Sequence, residues 1–231
     1  MPDPVPNPEL MRALGRLVRG LSALFWGLPA ALVVCFHTAK AESLKAYQIT
    51  IPLACTGLLA YGIWQLGAFQ KQERVWRKAL DRAQILSLVI FGLSPFLFWS
   101  NRLPANPFFS VMVGLLVFTA LLFLASLNLV LQRLGAMLPD EGLRLETKQF
   151  TALNLNLLCA TLLVSAAYIV LSQLPHLPPY FQALMMILER GSVWLLFLLV
   201  PLVLLPMAMT MALLWKTKEV ILDNVFAAKP S

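Results

Sequence analysis

Four side-chain amides are the residues of this chain whose type and spacing best fit a chemical role. Asn128 and Gln132 lie one helical turn apart near the end of one apolar run, and Asn154 and Asn156 lie near the start of the next. Amides inside a membrane form hydrogen bonds between helices or line a site for a polar solute. Because helical positions 154 and 156 point about 200° apart, only one of them can face a given neighbour. We expect hydrogen bonding between helices as their main role and keep a polar solute site as the alternative.

The two histidines of the chain, His37 and His176, are a second and weaker candidate. Two neutral imidazoles that face each other can ligate a haem iron or a metal ion. His176 stands among prolines, however, and no third ligand accompanies the pair. We therefore interpret both as histidines at the ends of apolar runs and predict no cofactor and no metal site.

Other chemistry has little support in the sequence. No Asp, Glu, Lys or Arg lies well inside an apolar run, which argues against ion-coupled transport and against catalysis by buried carboxylates. The motifs GxSxG, HExxH and GxGxxG and the P-loop are missing. Cys35, Cys55 and Cys159 lack metal-binding spacing and are expected to pack as small apolar groups.

The elements that must position these residues are membrane helices. Hydrophobic residues make up 59% of the 231 residues and charged residues only 13%, whereas soluble domains carry about 25% charged residues. The net charge of +7 comes from cations in short loops, so we predict no nucleic-acid binding. The sequence predicts an all-α, polytopic bundle of six transmembrane helices. They cover residues 18–37, 49–69, 85–100, 108–134, 151–173 and 193–215.

A basic stretch at residues 70–84 predicts the orientation of these spans. Cations that flank apolar runs stay on the cytoplasmic side during insertion. With six spans, 14 of the 18 Lys and Arg residues fall on the side of this stretch. Both termini are therefore expected in the cytoplasm, and the compact loops favour a bacterial inner membrane.

The same stretch is amphipathic on a helix. An apolar stripe, which includes Trp76 and Leu80, lies opposite a row of cations. We predict a separate cytoplasmic loop helix that lies at the lipid headgroups. Its candidate contacts with lipid or with a partner are Lys71, Arg74, Lys78 and Arg82.

The remaining segments complete the predicted organisation. Residues 1–7 alternate proline with other residues and are expected to form a disordered tail, residues 8–215 form one membrane domain, and residues 216–231 form a cytoplasmic tail. In the first span, Ala23, Gly27 and Ala31 give a small-residue face for helix packing. The alternative that this span is a cleaved signal peptide stays open.

Three classes of function fit this organisation. A non-enzymatic subunit or scaffold, which acts through another membrane protein or through self-association, fits the exposed basic helix and the lack of buried charge. A permease-like transporter or channel for a neutral or lipidic solute fits the amides and the two prolines, Pro201 and Pro206, that interrupt hydrogen bonding in the sixth span. A membrane enzyme or haem carrier would use His37 and His176. We expect the first class before the other two, with membrane lipids as partners in every case.

Overall fold

The computed structural model describes most of the chain, and the described part is built from α-helices. It covers residues 8–38, 49–69, 73–103, 105–138, 141–173 and 192–226. The helices are α1 (Pro8–Thr38), α2 (Thr50–Leu66), α3 (Arg74–Leu93), α4 (Phe96–Arg102), α5 (Pro107–Met137), α6 (Glu141–Gln173) and α7 (Ser192–Phe226). The tail at residues 1–7 and the segment at 174–191, which holds His176, lie outside the described residues.

Three of these helices are long and apolar enough to cross a membrane, as judged from the described residues by length and composition. They are Met11–Cys35 within α1, Arg74–Arg102 across α3 and α4, and Pro107–Met137, which is α5. Thr50–Leu66 is a shorter apolar helix. The prediction of an all-helical bundle is confirmed for the described residues. The length and composition of these three helices are those expected of a membrane protein.

The helices follow one another around a closed ring. Each of α1, α2, α3, α5, α6 and α7 packs against the next in the chain, and α7 returns to pack against α1. A further contact joins α5 to α7 across the ring. As a result α5, α6 and α7 pack against one another, which brings together two of the four predicted amides, Asn128 and Asn154.

The start of α5 shows how local sequence determines where a helix begins. The Asn106 side chain accepts a hydrogen bond of 3.1 Å from the backbone N–H of Phe108, and Pro107 occupies the first helical position. A side-chain cap followed by proline is a preferred helix start, because proline has no N–H to leave unpaired there. The start predicted at Phe108 is therefore correct to within one residue.

The separate loop helix predicted between the second and third spans is wrong. Helix α3 begins at Arg74 and continues without a break to Leu93, because no glycine or proline interrupts it before Gly92. Its buried residues form one face from end to end, and Trp76 is fully buried with its indole N–H donating to the Phe69 carbonyl at 3.1 Å. The apolar stripe therefore packs into the protein and does not face the headgroups.

Helices α1 and α2 approach each other closely at two glycines. A Cβ placed on Gly20 would lie 2.7 Å from the Gly62 carbonyl oxygen, so neither position has room for a side chain. Gly27 lies against Leu59 on the same contact, whereas Ala23 and Ala31 are only partly buried. The small-residue face exists, but it is centred on Gly20 and Gly27.

Most of the segment predicted as a cytoplasmic tail, residues 216–231, is helical. Helix α7 continues through Trp215 to Phe226, and Ile221 is fully buried. Lys216 of α7 forms an ion pair with Glu146 of α6, and both side chains are partly exposed. The polar residues after the last apolar run are thus a helical extension that packs against α6.

Candidate functional site

A group of buried polar side chains lies where α5, α6 and α7 meet. We call it the amide–threonine cluster, and it consists of Asn128 from α5, Thr151 and Asn154 from α6, and Thr210 from α7. Asn128, Asn154 and Thr210 are each 0% exposed. Burial of several polar groups among leucines is costly unless they are hydrogen-bonded, so the pairing of each atom matters.

Thr210 is the centre of the cluster. Its hydroxyl oxygen accepts hydrogen bonds from the side-chain N–H groups of both asparagines, at 2.9 Å from Asn128 and 3.0 Å from Asn154. Its own proton goes to the Pro206 carbonyl oxygen at 2.7 Å. The Thr210 hydroxyl has therefore used its one donor and both of its lone pairs.

The remaining amide protons are also used. Asn128 Nδ2 donates a second hydrogen bond to the Leu124 carbonyl oxygen at 2.8 Å, and Asn154 Nδ2 donates one to the Pro206 carbonyl oxygen at 3.1 Å. Thr151 adds a longer contact of 3.4 Å from its hydroxyl to the Asn128 backbone carbonyl. All four side-chain N–H groups of the two asparagines thus have acceptors.

The amide oxygens of Asn128 and Asn154 are not hydrogen-bonded within the cluster. Asn128 Oδ1 and Asn154 Oδ1 are buried and have no hydrogen-bond partner among the described residues. Turning either amide around would not help, because its oxygen would then face carbonyl oxygens and a Thr210 hydroxyl whose proton is already donated. The cluster therefore presents two acceptors and no spare donor.

Pro206 adds one more polar contact beside the cluster, between α7 and α6. Proline has no backbone N–H, so the carbonyl of Leu202, four residues earlier, loses its partner in the helix. Thr161 of α6 donates to that carbonyl at 3.4 Å. The neighbouring helix thus compensates for the proline, which is the usual way in which a membrane helix tolerates one.

The other predicted amides lie outside the cluster. Asn156 is exposed, as expected if Asn154 faces the neighbouring helices, and Gln132 is partly buried one turn beyond Asn128. Neither has a hydrogen bond to Thr210, so the structure brings together two of the four amides.

The cationic candidates form a separate surface. Arg74, Lys78 and Arg82 are all exposed on α3, on the side away from buried Trp76, and Lys71 lies outside the described residues. This exposed row is available to headgroups or to a partner, and it has no contact with the amide–threonine cluster.

The predictions for the histidines and cysteines stay predictions. His37 belongs to α1 but its side chain is not described, and His176 is outside the described residues. Among the described residues, no group of three His, Cys, Asp or Glu side chains could hold a metal ion, and Cys35, Cys55 and Cys159 are free thiols.

The sequence reasoning did not single out three threonines that take part in these hydrogen bonds, namely Thr151, Thr161 and Thr210. Threonine is common in membrane helices and bonds to its own backbone there, so it gives little signal by itself. One usable signal was present: Thr210 lies four residues after Pro206, on the same face of the helix.

No protein-family model matches the chain, and no significant match was found among curated proteins or solved structures. The function is therefore argued from the amide–threonine cluster itself.

Proposed function

We propose that the chain is a six-span protein of a bacterial inner membrane, with both termini in the cytoplasm. In this proposal the spans are α1, α2, α3 with α4, α5, α6 and α7. The excess of Lys and Arg on one side, 14 of 18, supports the orientation. The exposed Arg74, Lys78 and Arg82 then lie at the cytoplasmic headgroups of the bilayer.

Within that membrane protein, we propose a permease-like function for a small neutral solute. The observation that carries this is the pair of fully buried amide oxygens, Asn128 Oδ1 and Asn154 Oδ1, that no described group satisfies. A buried acceptor without a donor costs about 1–3 kcal/mol, so a cluster that served only to join helices would be expected to satisfy both. A polar guest that donates to these oxygens accounts for the cost.

The surroundings of the amides fit a solute path better than a rigid joint. Pro206 weakens α7 beside the cluster, and interrupted helices are the usual place where membrane proteins expose backbone and side-chain groups to a cavity. Hydrogen bonding between helices explains the four bonds that the asparagine N–H groups donate, but it does not explain the two amide oxygens without a partner among the described residues. The scaffold interpretation therefore becomes the competing proposal.

The test is solute flux in proteoliposomes, followed as swelling by stopped-flow light scattering with urea as the solute. We expect the purified protein to raise the urea flux above that of empty liposomes, and Asn154→Leu to return it to that level. Asn156→Leu is the matched control, because it removes an exposed amide from the same helix, and it should leave the flux unchanged.

Two results would contradict the permease proposal. One is a flux of urea, glycerol and acetamide equal to that of empty liposomes with correctly folded protein. The other is recovery of a stoichiometric partner chain from native membranes together with no flux, which would support the scaffold instead.

A further inference from the structure

The pattern of donors and acceptors in the amide–threonine cluster defines the chemistry of a guest. The Thr210 hydroxyl and all four side-chain N–H groups of Asn128 and Asn154 are engaged within the protein. Asn128 Oδ1 and Asn154 Oδ1 of this cluster have no hydrogen-bond partner among the described residues, and both can only accept. A guest must therefore bring donors.

The two oxygens belong to side chains that share one partner, the Thr210 hydroxyl. In each amide the oxygen lies about 2.2 Å from its own nitrogen, and that nitrogen lies 2.9 Å (Asn128) or 3.0 Å (Asn154) from the Thr210 hydroxyl oxygen. Each amide oxygen therefore lies within about 5 Å of the same hydroxyl. The two oxygens are therefore at most about 10 Å apart, where α5, α6 and α7 pack together.

The cluster also restricts the charge of the solute that it can bind. An anion offers acceptors to a site that already has only acceptors, so it is excluded by repulsion. A cation would be buried without a counter-charge: the described acidic residue of α6 that lies nearest in sequence to Asn154 is Glu146, which is paired with Lys216. Burial of an uncompensated charge is far more costly than burial of a neutral polar group.

We propose that the cluster binds a small neutral solute through its N–H or O–H donors, with Asn128 Oδ1 and Asn154 Oδ1 as the two acceptors. This inference rests on the proposed permease function and names the class of solute. It predicts discrimination by donor number and not by size, because the protein offers no donor to the carbonyl of the solute.

Three solutes of the same size test this directly. Urea, acetamide and acetone are planar, neutral carbonyl compounds of four heavy atoms, and replacing each NH₂ by CH₃ lowers the number of N–H donors from four to two to none. The protein, labelled with carbon-13 at the asparagine side chains and held in nanodiscs, is titrated with each solute. The Cγ resonances of Asn128, Asn154 and Asn156 are followed by solid-state NMR and assigned from single Leu variants.

We expect urea and acetamide to shift the Cγ resonances of Asn128 and Asn154 with saturation, and to leave exposed Asn156 unchanged. Acetone should bind about tenfold more weakly or not at all, since the loss of one donated hydrogen bond is worth about 1.4 kcal/mol. Equal shifts with acetone and urea would overturn the inference. No shift with any of the three would overturn it too, because water alone would then satisfy both oxygens.

The result separates this inference from the proposed function. Donor-dependent shifts without urea flux would support the binding site and reject the permease. Urea flux without a shift at either asparagine would support the permease and reject this site as its solute-binding point.

Discussion

Pro95 and Pro206 both interrupt the hydrogen bonding of helices in this bundle, and the groups around them differ in one respect. Pro95 separates α3 from α4 and frees the carbonyl of Phe91, while Pro206 lies inside α7 and frees the carbonyl of Leu202. At Pro95 the Ser94 hydroxyl donates to the Phe91 carbonyl at 2.9 Å, and Thr56 of α2 reaches the Ser94 hydroxyl at 3.3 Å. No buried side-chain atom is left without a partner there in the described part of the chain.

Near Pro206 the Thr161 hydroxyl donates to the freed Leu202 carbonyl, but the two amide oxygens of the neighbouring cluster have no partner among the described residues. A hydroxyl carries its donor and its acceptors on one oxygen, so a chain of hydroxyls can close on itself. An amide carries donors and acceptors on different atoms, so an amide whose N–H groups face the protein turns its oxygen elsewhere. At Pro95 the buried polar side chains have partners within the protein, whereas beside Pro206 two buried amide oxygens have none among the described residues and, in our proposal, bind a solute.

The largest expected change in stability comes from Thr210→Val. The variant removes the acceptor shared by Asn128 and Asn154 and leaves an N–H of each without a partner, which should lower the free energy of unfolding by about 2–4 kcal/mol. Equilibrium unfolding in mixed micelles with increasing SDS measures this. Thr119→Val is the control, because buried Thr119 donates only to the Leu115 carbonyl of its own helix, and it should cost less than about 1 kcal/mol. Equal losses would contradict the central role of Thr210.

The next largest loss of stability is expected at Ser94, beside Pro95. Ser94→Ala leaves the Phe91 carbonyl without the hydroxyl that compensates for Pro95, so the same unfolding assay should show a loss of about 1 kcal/mol. Urea flux should be unchanged, since this region presents no free acceptor. A loss of flux in a stably folded Ser94→Ala protein would remove the distinction between the two regions.

Asn154→Leu should separate stability from function. It deletes two hydrogen bonds together with one buried oxygen that has no partner, and these effects offset each other, so the unfolding free energy should change by less than about 1 kcal/mol. Solute flux and the donor-dependent NMR shift should both be lost. A destabilisation as large as that of Thr210→Val would instead identify Asn154 as a purely structural residue.

The smallest effect is expected from Asn156→Leu. Asn156 is exposed and lies outside the hydrogen bonds of the cluster, so stability should stay within about 0.5 kcal/mol of the parent and flux should not change. Reduced flux in this variant would place the path on the other face of α6.

Much of the bundle follows from local sequence. The apolar runs predict the positions of the helices, and Asn106 with Pro107 predicts the start of α5 to within one residue. Helical periodicity alone indicates that Asn154 and Asn156 face different ways, and burial of the first with exposure of the second agrees. These features depend on residues that are close in the chain.

Features that depend on distant residues could not be predicted in this way. The role of Thr210 requires that α7 pack against both α5 and α6, and the close approach at Gly20 requires Gly62 on the facing helix. The continuous α3 is not predicted for a different reason. The change from polar to apolar residues near Ile85 indicates a boundary between two elements, although a helix continues across such a change when no residue breaks it.

The proposed solute site is tested most directly by an experimental structure in nanodiscs, with and without urea, at a resolution that shows ordered water and solute. We expect Asn128 Nδ2 and Asn154 Nδ2 to face the Thr210 hydroxyl and their Oδ1 atoms to contact urea at about 3 Å. Protein donors on both Oδ1 atoms, with no solute between α5, α6 and α7, would contradict it.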